Sequence, residues 1–177
     1  MRYVRIPKER VGVIIGHNGG TKQAIEETAK VRLEIDSEEG EVTIVDQNAQ
    51  DPLMGLKVED VVRAIGRGFS PEAAFRLFRE DTELYIFDIY DYAAKTESHL
   101  ERVKARVIGR DGKTKRVIES ITGASVVIYG HTVGLIADFE GMDIAKRALD
   151  MLLSGSQHPT VYRFLEREMK KVRLGIA

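Results

Sequence analysis

The chain has 177 residues, 43% of them hydrophobic and 31% charged, with no cysteine and a formal net charge of −1. That length allows one large domain or two small ones, each with its own core. The missing cysteines exclude disulfides and thiolate metal sites and suit a cytosolic setting. No run of 18 apolar residues offers a membrane-spanning helix, and the start, MRYVRIPKER, lacks the apolar stretch of a secretory signal.

In chain order, Tyr3-Val4-Arg5-Ile6 alternates as a half-buried strand does, and Val11 to Ile15 is an apolar turn stopped by Gly16. Thr21 to Lys30 is helical, with Ala24, Ile25 and Thr28 on one side, and Val31, Leu33 and Ile35 alternate as a strand. Glu39-Gly40 is a tight turn into a partner strand, Val42 to Val45. Asp51-Pro52 opens a helix whose apolar stripe is Leu56, Val58, Val61, Val62 and Ile65, closed by Gly66 and Gly68. Ser70-Pro71, an N-cap followed by proline, predicts a short extra helix over 71–79. A strand over 84–89 follows, then helices over 97–107 and 112–122, strands over 124–129 and 132–138 around a Gly130-His131 turn, and a helix over 141–153. Pro159 starts a last helix with Leu165, Met169 and Val172 buried and a basic remainder.

One pattern occurs twice in this order, 93 residues apart. Residues 14–35 are IIGHNGGTKQAIEETAKVRLEI and residues 107–128 are VIGRDGKTKRVIESITGASVVI. Eight of these 22 positions are identical without a gap: Ile15/Ile108, Gly16/Gly109, Gly19/Gly112, Thr21/Thr114, Lys22/Lys115, Ile25/Ile118, Glu26/Glu119 and Ile35/Ile128. The chain is therefore a tandem of one module in β-α-α-β-β-α order. Each copy should be an α+β unit, a three-stranded antiparallel sheet with helices packed on one face. The expected boundaries are 1–80, including the extra linking helix, and 82–177, including the C-terminal helix.

The near-neutral net charge conceals a division. Residues 1–35 carry seven basic and four acidic groups, residues 36–100 carry six and 15, and residues 101–177 carry 14 and nine. Basic groups gather around the repeated motif, most densely from Glu101 to Arg116, with an acidic belt between; local potential rather than the average steers a polyanion.

The G-x-x-G at the centre of each copy joins two helices through a loop that backbone can approach closely. The following helix aims its free amides at that loop, which suits phosphate. Gly16-His17-Asn18-Gly19 and Gly109-Arg110-Asp111-Gly112 both fit. In this setting the motif resembles that of the type I KH domain, whose loop clamps about four nucleotides of single-stranded nucleic acid. The resemblance implies RNA-binding positions at both tetrapeptides, with Ile15 and Ile108 among the aliphatics of the groove edge (Ile14, Leu33 or Ile35; Val107, Val126 or Ile128). Lys22, Lys113, Lys115 and Arg116 would meet phosphates. KH loops usually hold Lys, Arg or Gly between the glycines. His17 and Asn18 depart from that, as does Asp111, which could instead cap the following helix. The second copy should therefore dominate binding.

Across nearly all of its length the chain resembles the two-KH small-subunit ribosome assembly factors of archaea and eukaryotes, the Dim-two or partner-of-Nob-one family. The block from Val107 to Glu166 and the link AIGRGFSPEAAFRLF, Ala64 to Phe78, carry that resemblance most specifically. It implies binding near the 3′ end of small-subunit rRNA, partnership with the endonuclease that trims that end and with other assembly or translation factors, no membrane role, and no cofactor. The intact first G-x-x-G is similar to the archaeal branch.

Enzyme readings find little support. Gly109 to Thr114 departs from a P-loop, because Val107 stands where the first glycine is needed. His17, His99, His131 and His158 share no metal-ligand spacing, and Asp88 with Asp91 makes only a weak carboxylate pair. A KH subunit of an RNA-decay complex, or a protein-interaction scaffold, are the alternatives.

Overall fold

The computed structural model describes residues 1–176 and divides into two compact units, Met1–Glu80 and Asp81–Ala177. The first runs β1 (Arg2–Arg5), α1 (Lys8–Ile15), α2 (Gly20–Ala29), β2 (Arg32–Asp36), β3 (Glu41–Val45), α3 (Met54–Gly66) and α4 (Pro71–Phe75). The second runs β4 (Thr82–Asp88), α5 (Glu97–Ile108), α6 (Lys113–Thr122), β5 (Ser125–Tyr129), β6 (Thr132–Asp138), α7 (Phe139–Leu153) and α8 (His158–Arg173).

Each unit has one three-stranded antiparallel sheet with its last strand in the middle, β1-β3-β2 in the first and β4-β6-β5 in the second. The register explains the alternation seen in the sequence. Val4 pairs with Val42, and Leu33 with Ile44, so four buried side chains share one face of the first sheet. In the second, Phe87 pairs with Val133 and Val126 with Leu135, again all buried. Helices cover that face: Ile14, Ile25, Val58, Val62 and Ile65 in the first unit, and Val107, Ile118, Ala145, Leu149 and Leu165 in the second, are fully buried.

Several local expectations change. Helix α1 begins at Lys8, well before the apolar stretch at Val11. Leu56 is 46% exposed and does not belong to the buried stripe of α3. It lies about 200° around the helix from Val58, on the opposite side. On α2, Thr28 is exposed and Ala29 carries the buried position. The extra helix α4 forms where Ser70-Pro71 places it, with the Ser70 hydroxyl accepting the Ala73 N–H at 3.2 Å; it tightens into a 3₁₀ turn at Arg76–Phe78.

Helix α8 is an addition of the second unit and packs against both α6 and α7. Val161, Phe164 and Leu165 are its buried residues together with Glu168, which accepts hydrogen bonds from Lys171, Arg167 and Arg147. Those cations, the Lys171 bond foremost, hold the Glu168 carboxyl below the usual carboxylate range.

Ile25 and Ile118 occupy the same place in the two repeats and both are 0% exposed. Truncating a fully buried isoleucine removes its transfer energy and leaves a cavity, at about 2–5 kcal/mol. Ile118→Ala is expected to lower the unfolding free energy of the second unit by that amount, checked by equilibrium denaturant unfolding.

Candidate nucleic-acid interface

The two G-x-x-G loops have the same backbone conformation to within a few degrees. Gly16 and Gly109 have φ/ψ of 74/176 and 76/173, Asn18 and Asp111 have 51/31 and 53/29, and Gly19 and Gly112 have 73/13 and 73/14. In each, the second glycine's N–H bonds the first glycine's carbonyl at 3.2 Å. Two successive left-handed residues turn α1 into α2 and α5 into α6 within four positions. Only glycine enters the region of the first without strain, and Asn and Asp are the side chains that best tolerate the region of the third. This accounts for Asp111 among basic neighbours. The N-cap of α6 is Gly112, so Asp111 does not occupy the capping position that the sequence suggested.

The first glycine is also held by crowding. A Cβ at Gly16 would overlap the Thr21 hydroxyl and lie 2.7 Å from the Thr21 N, and a Cβ at Gly109 would collide with Thr114 in the same way. Each remaining identity in the repeat has a place in this arrangement. Glu26 and Glu119 each accept the N–H of a strand residue, Leu33 at 2.8 Å and Val126 at 3.0 Å, locking helix to sheet. Lys22 and Lys115 pair with those same glutamates at 4.0 and 3.2 Å. Such exposed i,i+4 pairs contribute little, so both ammonium groups can turn to a phosphate.

The aliphatics sort cleanly. Ile14, Leu33, Val107 and Val126 are buried and belong to the core, although groove positions were expected among them. Ile15, Ile35 and Ile128 are half-buried, and Ile108 is 37% exposed. These are two of the repeat's three pairs of identical isoleucines, and unlike the buried third pair, Ile25 and Ile118, they keep part of their surface open to solvent.

The loops differ in what surrounds them. His17 and Asn18 in the first, and Arg110 and Asp111 in the second, are exposed. Arg116 donates from Nη1 to the Asp111 carbonyl at 2.6 Å, stapling the second loop from within, so one of its N–H groups is already committed. Behind that loop the Thr114 hydroxyl shares a 2.9 Å hydrogen bond with the Tyr162 hydroxyl of α8. The Lys113 ammonium lies 5.7 Å from the centre of the Tyr162 ring. The His158 ring lies 6.2 Å from that of Tyr162 and donates from Nε2 to the Arg106 carbonyl at 2.9 Å. The Arg106 guanidinium in turn bonds the Ser156 carbonyl at 2.6 Å. Helix α8 thus ties the last turn of α5 to the first turn of α6 across the loop. Thr21 has no tyrosine partner shown in the first unit. Thr114 was visible in the sequence as a repeated threonine, but Tyr162, 48 residues away, carries no local signal.

Asp88 is tied into a turn by the His131 ring and the Tyr90 N–H. No group of three His, Cys, Asp or Glu residues suited to a metal occurs among the described residues, nor does a helix long and apolar enough to cross a membrane.

Duplicated β-α-α-β-β-α units with a left-handed G-x-x-G hinge define a tandem type I KH protein. A family model described as the eukaryotic-type KH domain (type I) matches residues 83–170, and one described as the KH domain matches residues 1–51. The chain is 49% identical over 171 residues to the KH domain-containing protein MJ0443 of Methanocaldococcus jannaschii, covering 96% of this chain and 74% of that one. It is 37% identical over 120 residues to the pre-rRNA-processing protein pno1 of Aspergillus fumigatus, covering 66% of this chain and 47% of the relative. The chain thus spans about half the length of that fungal relative. Among solved structures, Dim2p of Pyrococcus horikoshii is 48% identical with a TM-score of 0.87, covering 94% of this chain and 98% of that one. A complex of a/eIF2α, aDim2p and rRNA from the same organism gives 48% and 0.89, covering 96% of this chain and 94% of that one. The chain belongs to the Dim2/PNO1 family of KH-domain proteins.

Gly109 and Gly112 are both left-handed, but a Cβ at Gly109 would collide with Thr114 while one at Gly112 would meet only Arg116 Nη1 at 3.2 Å, so the two should differ. Gly109→Ala is expected to destabilise the second unit clearly more than Gly112→Ala, whose cost is the left-handed strain of about 1 kcal/mol. Thermal unfolding of the two variants checks the ranking.

Proposed function

We propose that the chain is a single-stranded RNA-binding assembly factor of the small ribosomal subunit that grips RNA near the 3′ end of the small-subunit rRNA. In this reading it is a cytoplasmic binding module and not an enzyme. The observation that carries the reading is the second G-x-x-G loop. Its backbone is fixed by Thr114, Tyr162 and Arg116, and its exposed side bears Arg110 and Lys113 at the start of α6. Free amides at a helix start, a flanking cation pair and the exposed edge of Ile108 supply what a phosphate and a neighbouring base require.

The site comprises Ile108, Gly109, Arg110, Asp111, Gly112, Lys113, Lys115 and Arg116. The first loop, Ile15, Gly16, His17, Asn18, Gly19 and Lys22, is a weaker companion. It has the conformation but no cation between its glycines. The rRNA and a/eIF2α in the Pyrococcus complex, and the pre-rRNA-processing name of the fungal relative, support this substrate and a translation-factor partner. A 3′-end-trimming endonuclease is the second partner we propose.

Replacing both Arg110 and Lys113 by Asp should abolish binding to a labelled single-stranded RNA from the small-subunit 3′ end while leaving the melting temperature unchanged. Single-strand binding falls with salt by roughly 0.7 log units per phosphate contact and log unit of salt. Neutralising the same two positions (Arg110→Gln, Lys113→Gln) should therefore flatten that slope by about 1.4. Unchanged affinity in the folded double-Asp variant would refute the site.

A further inference from the structure

At the end of each sheet one hydrogen bond closes the turn after the first strand. Ile6 donates to the Gly40 carbonyl at 2.8 Å in the first unit, and Ile89 donates to the His131 carbonyl at 2.7 Å in the second. The last paired residues before these bonds are Arg5 with Glu41, and Asp88 with Thr132. By this register His131 stands where the first unit has Gly40, Tyr90 where it has Pro7, and Asp88 where it has Arg5. The same corner of the fold therefore carries two aromatic rings in one unit and none in the other.

These rings are arranged rather than scattered. Tyr90 and His131 stack with centroids 4.7 Å apart and planes 13° from parallel. The His131 Nδ1 lies 2.8 Å from an Asp88 oxygen, ring N–H toward carboxylate, and the same oxygen accepts the Tyr90 N–H at 3.0 Å. Partial burial works to raise the Asp88 carboxyl, but the His131 and Tyr90 bonds outweigh it and hold the group below the usual carboxylate range. One carboxylate thus fixes both stacked residues, while 42% of the His131 side chain stays open to solvent. The Lys95 ammonium stands 6.0 Å from the Tyr90 centroid. Two pre-oriented rings and a nearby cation are the components with which proteins hold a base and its phosphate without reading sequence.

The position suits an RNA already held by the second loop. His131 lies in the β5–β6 hairpin turn, three residues beyond Ile128, a half-buried residue that the sequence offered for the groove edge. Lys95 stands two residues before α5, whose 12 residues extend about 18 Å to the G-x-x-G loop. A KH groove takes about four nucleotides, so the strand leaving it has this platform within its reach.

We propose that Tyr90, His131 and Lys95 form a stacking subsite for a nucleotide of single-stranded RNA flanking the stretch held by the second G-x-x-G loop. This rests on the RNA-binding reading above. The subsite gives the second unit a longer footprint than the first, and its contribution is independent of base identity.

The test compares single-stranded RNAs of about four and about eight nucleotides, both from the small-subunit rRNA 3′ end, on the full chain. Wild type should bind the longer RNA more tightly. His131→Asn and Tyr90→Leu, each keeping bulk but losing the ring, should weaken the longer RNA about tenfold and leave the shorter within twofold. Tyr90→Phe, which keeps the ring, should retain wild-type affinity, and unchanged melting temperatures confirm that each variant is folded. Equal loss for both lengths, or no loss for either while wild type still prefers the longer RNA, overturns the subsite alone. Failure of wild type to bind either RNA overturns the RNA-binding reading and the subsite with it.

Discussion

The organisation of both units depends on one close approach, the first loop glycine pressed against the threonine five residues on. At Gly16 and Gly109 the backbone is left-handed in φ, and the space a Cβ would fill belongs to Thr21 or Thr114. This fixes the direction in which α2 leaves α1, and α6 leaves α5. Direction in turn decides which helix face meets the sheet. Ile25 and Ile118 then fall into the core, and Glu26 and Glu119 reach strand amides at Leu33 of β2 and Val126 of β5. A single backbone constraint thereby sets loop shape, core packing and the helix-to-strand lock together. The exposed pair of residues between the glycines is left free to vary without altering the turn.

The two copies use that freedom differently. The first holds His17 and Asn18 in the loop, and among the described residues no tyrosine braces it from behind. The second gains Arg110 and Lys113, an internal staple from Arg116, and an added helix whose Tyr162 meets the threonine of the constraint itself. For the phosphate site proposed there, such bracing is an advantage, because amides already in place would not have to be ordered on binding. The added helix is held by the Arg147–Glu168 bond from α7 at one end and by the Arg106–Ser156 and His158–Arg106 bonds at the other. It serves as part of the loop's foundation and not as an appendage.

Much of this was legible in the sequence because the module is duplicated. Identity at eight aligned positions separated loop, core and lock residues from background, and alternation marked β1 and β2 to within a residue. What escaped was tertiary. The apolar stretch at Val11–Ile15 understates α1 because Lys8, Glu9 and Arg10 contribute no apolar signal. Leu56 matches the apolar composition of α3 but lies on the wrong arc. Asp111 looked like a cap because aspartate usually is one near a helix start, whereas the geometry asks for a residue that tolerates left-handed φ. The Thr114–Tyr162 and Asp88–His131 ties join residues more than 40 positions apart, and no local pattern announces them.

The most direct test of the central claim is an NMR titration of the isotope-labelled full chain with single-stranded RNA, following every backbone amide. The account requires the largest shifts at 108–116, with smaller ones at 15–22 and little change across the acidic hairpin at 36–41. Shifts centred on the first loop, or spread over the acidic hairpin while 108–116 stays still, would contradict it.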